Sequence, residues 1–242
     1  MMNSPVCEKL GIEFPLFAFT HCRDVVVVVS KAGGMGVFGA VNLPPERLKE
    51  ELDWIVEHID GKPFGVDLIV PNKFEGKGDA FNADHLLNAV PDGHKAFADN
   101  IMSEHGIEKV DLEQDRRDNL KFAKNLRDDG AATSLDIAFQ YPIKLIVNAL
   151  GVPPQIMLDM AKQHGVATGA LVGAKEHAVS QVNAGVDFLI VAGGEAGGHC
   201  GDVSTMVLIP EVYQAVQAAG ADTPILAAGG ITTGGQMAAA MA

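Results

Sequence analysis

From Ala192 to Gly201 the chain reads AGGEAGGHCG, five glycines in ten positions with a glutamate and a histidine among them. Glycine reaches positive φ and carries no Cβ, so the backbone N–H groups of such a turn can approach a ligand closely. A flexible surface loop would need the glycines but not the Glu and the His. Histidine changes charge near neutral pH, which makes His199 a candidate acid or base. A second small-residue turn, Ala227-Ala228-Gly229-Gly230-Ile231, offers the N–H groups of Gly229 and Gly230 to a phosphate; the alternative is a tight strand-to-helix turn.

Other reactive residues are weaker candidates. His21 and Cys22 are neighbours in the chain, so their side chains diverge, and they read as pocket lining rather than a dyad. Cys7, Cys22 and Cys200 show neither a CxxC nor a metal-ligand spacing, which suggests free thiols in a reducing compartment and no metal site. Cys200 has no activating partner in the sequence except His199, which speaks against a nucleophile. Gly33-Gly34-Met35-Gly36 precedes a strand instead of following one, and so fails the context of a dinucleotide-binding fingerprint.

The elements that must position these residues alternate. Seven apolar runs read as strands: Phe14 to Thr20, Gly36 to Ala40, Phe64 to Pro71, Lys144 to Gly151, Gly165 to Gly173, Val186 to Gly194 and Pro224 to Gly230. Runs without polar alternation suit strands covered on both faces, as in a parallel sheet. Helical stretches lie between them, at Pro153 to His164, Ala174 to Ala184 and Pro210 to Ala219, with Gly165, Gly185 and Gly220 as C-terminal punctuation. The five valines of Val25 to Val29 have strand propensity, but Asp24 before them and Gly33-Gly34 after them fit a helix, which the repeat also requires. The expected fold is α/β, a TIM-type (β/α)8 barrel forming one domain over 1–242, with strand C-termini carrying the site. A charged insertion, residues 72–140, follows the third strand with two or three amphipathic helices; it reads either as a solvated decoration or as a lid over the barrel mouth. No eighth strand is evident before Ala242, so a truncated barrel is expected.

A net charge of −13 disfavours a nucleic-acid surface, and no apolar run is long enough for a membrane helix. The first residues, MMNSPVCEKLG, lack the pattern of a signal peptide, so a cytoplasmic location is expected. Oligomeric state stays open.

Three segments, Gly185 to Gly201, Ala227 to Ile231 and Ala32 to Gly39, together resemble the nitronate monooxygenase family, formerly called 2-nitropropane dioxygenases. The resemblance implies an FMN-dependent TIM-barrel flavoprotein, an oxidoreductase that oxidises alkyl nitronates or nitroalkanes with O2. It implies that His199 is the active-site histidine, handling a substrate proton near the flavin. Gly197 and Gly198 would touch the flavin through their backbone, Gly229 and Gly230 would form the phosphate turn, and Phe19 and Thr20 would line the flavin from the first strand. The chain departs from the family's pattern at Ala192, where Gln is frequent, at Asp67, where Asn or Gln is frequent, and at Thr20-His21, where Pro-Met is usual. A carboxylate at position 67 beside a flavin disfavours an anionic reduced ring unless it is protonated or paired. Two rivals remain: an NAD(P)H-dependent enoyl or quinone reductase of the same barrel type, and a truncated barrel without activity.

Overall fold

A computed structural model describes residues 4–41, 43–70, 88–107, 128–198 and 200–241. Among them are seven strands: β1 (Phe17–Thr20), β2 (Met35–Gly39), β3 (Phe64–Leu68), β4 (Leu145–Asn148), β5 (Ala167–Val172), β6 (Phe188–Ala192) and β7 (Ile225–Ala228). They form one sheet in chain order, and every neighbouring pair is parallel. This is the α/β architecture of a TIM-type barrel, with each strand the length that the apolar runs led one to expect or shorter. β2, β3 and β4 are buried along their whole length, whereas β1 and β7, each with one strand neighbour among the described residues, are mostly half-exposed.

Strand alternation sorts side chains into an inner and an outer layer. Met35, Val37, Leu145, Val147, Ala167 and Phe188 meet inside the curved sheet, and helix α1 (Pro5–Leu10) closes that interior with Cys7 and Leu10. On the outer face Phe38, Phe64, Val66, Leu68 and Ile146 pack against α2 (Arg23–Lys31) and α3 (Pro45–His58). Farther along, Ala170, Val172, Leu189 and Val191 pack against later helices.

The valine run is helical. Val26 and Val27 are buried while Val28 is 66% exposed, the spacing of a helix with one face inward. Gly36 explains how tertiary packing overrides strand propensity here. A Cβ on Gly36 would stand 2.5 Å from the Val26 backbone, so a bare Cα lets α2 lie directly on β2. The Gly33–Gly36 stretch is therefore a packing device.

Within residues 72–140 the described helices are α4 (Asp92–Glu104) and α5 (Asp128–Ala138). α4 buries no residue, whereas α5 packs on α3 and buries Leu135 and Ala138 completely. The remaining helices are α6 (Gln155–His164), α7 (Lys175–Ala184), α8 (Thr205–Ala218) and α9 (Gly234–Met241). Gly165 and Gly185 end α6 and α7 at φ 65° and 85°, the left-handed cap expected of them. α8 differs from the sequence expectation: it starts five residues before Pro210, which sits inside it. The proline costs the bond to the Met206 carbonyl, and the helix start is instead fixed by a carboxylate from the preceding loop. No helix of the described residues is long and apolar enough to cross a membrane.

Candidate active site

The strand C-termini bring two groups of residues to the rim. One stands over β1 to β3. Phe19, near the end of β1, is 56% exposed at the open mouth. A Cβ on Gly39 would lie 2.7 Å from the Phe19 ring and 2.8 Å from the His21 imidazole, so both rings lean over the end of β2. His21 Nδ1 donates to the Gly39 carbonyl at 2.8 Å, and the Phe19 and His21 rings meet edge to face. Thr20 is turned to local work, its hydroxyl accepting the Cys22 N–H at 3.0 Å.

Asp67 pairs in register with Gly39 on one side and Val147 on the other. Because Phe64, Val66 and Leu68 belong to the outer cluster, Asp67 projects to the inside of the sheet. It is 3% exposed, and its Oδ1 has no hydrogen-bond partner. Burial pushes the carboxyl up to about 8, so near neutral pH it holds its proton.

The second group stands over β6 and β7. Ala192 ends β6, nearly buried, and Gly193 follows with so little space that a Cβ would strike Thr205. Glu195 reaches back from this loop to α8: its Oε2 accepts the Thr205 N–H at 2.8 Å and the Thr205 hydroxyl at 2.9 Å. The first N–H groups of a helix lack internal partners, and its positive end favours a carboxylate. The Thr205 backbone N–H, with the hydroxyl as a further donor, holds Glu195 below the ordinary glutamate range. The same hydroxyl lies 3.0 Å from the Gly229 carbonyl, so its single proton is shared between the β6 loop and the β7 turn.

Gly229 and Gly230 both take positive φ, 99° and 70°. A Cβ on Gly229 would sit 3.2 Å from the Ala196 nitrogen, and one on Gly230 would sit 3.0 Å from the Glu195 Cβ. The two glycine turns of the sequence are thus one continuous surface. Gly197 and Gly198 are exposed on it, with open space where a side chain would stand. Among the described residues, the N–H groups of Gly197, Gly198, Gly229 and Gly230 donate to no other group. Gln236 trims the far end: its amide oxygen accepts the N–H groups of Thr232 and Thr233, and its Nε2 donates to the Gly230 carbonyl. His199 lies outside the described residues. Cys200 is exposed.

Sequence reasoning missed Thr205 and Asn148. Asn148, fully buried at the end of β4, accepts the Val70 N–H at 2.9 Å and donates to the carbonyls of Leu150 and Gly151, tying the exits of β3 and β4 together. A lone Asn at the end of an apolar run was the available signal for it. For Thr205 the signal was Ser204-Thr205 ahead of the apolar stretch Met206 to Ile209, an ordinary helix start.

The family model for nitronate monooxygenase matches residues 3–242. The chain belongs to the nitronate monooxygenase family. Among relatives of this nitronate monooxygenase family member, a Mycobacterium tuberculosis protein named "Putative monooxygenase Rv1533" is 46% identical over 242 residues, all of this chain and 63% of that protein. A Staphylococcus saprophyticus protein named "Probable nitronate monooxygenase" is 24% identical, covering 99% of this chain and 64% of the relative. The chain therefore spans a little under two thirds of the length of both. Nitroalkane oxidase from Streptomyces ansochromogenes has a similar structure, with TM-score 0.69 at 23% identity over 98% of this chain and 64% of that one, which supports the barrel fold.

Proposed function

We propose that this chain belongs to an FMN-dependent oxidoreductase that oxidises alkyl nitronates with O2. The observation that carries the reading is the joined surface of the β6 loop and the β7 turn, where four glycine N–H groups have no described acceptor. Such a surface at the C-terminal rim of a barrel suits a phosphate and the edge of a planar cofactor. The opposite rim suits a flavin as well: Phe19 offers an exposed ring, and Asp67 offers a buried polar atom in need of a partner. Family membership and the name of the Staphylococcus saprophyticus relative support the substrate class, and the name of the Mycobacterium tuberculosis relative supports a monooxygenase.

FMN, when bound, supplies the electron transfer and the reaction with O2. The protein's own part is to bind and to move a proton. Gly229 and Gly230 would hold the phosphate, Gly197 and Gly198 would lie along the ring system, and Phe19, Thr20 and Ala192 would border it. His199, between Gly198 and Cys200 in the chain, would take the α-proton of a neutral nitroalkane. A nitronate arrives already deprotonated and does not need this step. O2 and a small nitro compound are the expected partners. Anaerobic mixing of the FMN-loaded protein with a nitronate, and separately with NADH, tests the reading by which of them bleaches the flavin absorbance.

A further inference from the structure

Asp67 is the one buried carboxyl at the described rim with an oxygen left unbonded. Carboxylates are costly to bury without a partner, and a native chain keeps such a group where something completes it. The neighbouring strands do not: β2 presents Gly39 and β4 presents Val147, neither of which has a polar or titratable side chain to offer. From β1, His21 spends its Nδ1 on the Gly39 carbonyl. From α3, Glu51 is engaged by Arg23 at 3.3 Å and by Arg47 at 2.5 Å, on the outer side of β2. No described cation is paired with Asp67, and desolvation alone accounts for its raised affinity for a proton. What remains is a neutral acid facing the interior of the sheet at its C-terminal end, able to donate as well as accept.

We infer that Asp67 holds a flavin as a neutral carboxylic acid, donating its O–H to an acceptor on the ring system, and that ionisation of this one group weakens the hold. The inference rests on the flavin reading above and adds to it a pH-dependent contact particular to this chain. An amide in place of the acid would donate and accept in the same way without titrating, whereas the acid turns a donor into a negative charge.

The test is the dissociation constant of FMN, read by quenching of flavin fluorescence between pH 6 and pH 9. Three proteins are compared: the unaltered chain, Asp67→Asn and Asp67→Leu. For the unaltered chain the constant is expected to be flat at the acid end and to weaken by up to about tenfold per pH unit above about pH 8. Asp67→Asn is expected to bind within about threefold of the unaltered chain at pH 7 and to show no slope, and Asp67→Leu to bind about tenfold or more weakly at every pH. A flat profile for the unaltered chain, or an equal slope in Asp67→Asn, overturns the inference while leaving flavin binding intact. No FMN binding by any of the three at any pH overturns both it and the flavin reading.

Thermal melting without flavin gives a second measurement. The unfolded carboxyl ionises near its ordinary value of 3.8, whereas the folded one keeps its proton to about pH 8. Between those values the unfolded state binds fewer protons, so stability falls as pH rises across the window and levels off above it. Asp67→Asn removes that cost. Its melting temperature should match the unaltered chain near pH 4 and exceed it by a gap that widens up to pH 8; an Asp67→Asn protein no more stable at pH 7 contradicts a proton held at this position.

Discussion

The Glu195 carboxylate accepts both the backbone N–H and the hydroxyl of Thr205, at 2.8 and 2.9 Å, and so pins the glycine loop after β6 to the first residue of α8. Thr205 in turn lies 3.0 Å from the Gly229 carbonyl, which makes it the common point of two turns that the sequence separates by some thirty residues. Replacing Thr205 with Val keeps the shape and the N–H but leaves Glu195 and Gly229 without the hydroxyl. The expected loss is about 1–2 kcal/mol of stability, seen as a lowered melting temperature, with FMN affinity reduced in step because both turns loosen. Unchanged stability and affinity would mean that the hydroxyl holds nothing together.

The charge on Glu195 gives this link an acid limit. Its folded pKa is depressed by the Thr205 N–H, so the contribution is fully present above the ordinary glutamate value and is lost as pH falls through the lower, folded value. FMN affinity is expected to hold steady from neutral pH down to about pH 5 and to decline below the ordinary glutamate range. Glu195→Gln should blunt that acid decline. An identical acid limb in Glu195→Gln would assign it to another carboxyl.

Two glycines separate packing from binding. Gly36 faces the Val26 backbone at 2.5 Å from a would-be Cβ, whereas Gly197 has open space and no positive φ. Gly36→Ala should destabilise the chain by about 1–3 kcal/mol or more, because backbone cannot step aside as a side chain can. Gly197→Ala should melt within about 0.5 kcal/mol of the unaltered chain yet bind FMN more weakly, since the new methyl occupies the surface the cofactor would use. Equal FMN affinity in Gly197→Ala, measured by fluorescence quenching, removes that residue from the binding surface.

His199 divides the substrates. General-base assistance is typically worth about 100-fold or more, and only a neutral nitroalkane has a proton to lose. His199→Ala should therefore cut kcat/KM for the nitroalkane by about 100-fold and for the matching nitronate by about tenfold or less. Equal losses on both would give His199 a binding role.

Much of the scaffold could be read along the chain because it depends on local pattern. Uninterrupted apolar runs announced the seven parallel strands, and the residues around the five valines pointed to a helix, although Asp24 stands in the first turn of α2 and Cys22 is its N-cap. The glycine turns were visible for the same reason. What stayed hidden depends on distance in space. Pro210 looked like a helix start, but α8 begins at Thr205 because Glu195, ten residues earlier, serves its free N–H. The protonation of Asp67 follows from how completely β3 is enclosed by its neighbours, which a residue's identity does not reveal. Asn148 likewise gains its role only when the exits of β3 and β4 lie side by side.

The proposed flavin site, one that takes electrons from nitronates, is tested most directly by anaerobic reduction. FMN-loaded protein is mixed without oxygen, first with an alkyl nitronate and in a separate cell with NADH, and the flavin absorbance is followed. Rapid bleaching by the nitronate, recovery of the absorbance when O2 is admitted, and no comparable bleaching by NADH are expected. Bleaching by NADH with the nitronate inert would contradict it and make the chain part of a reductase.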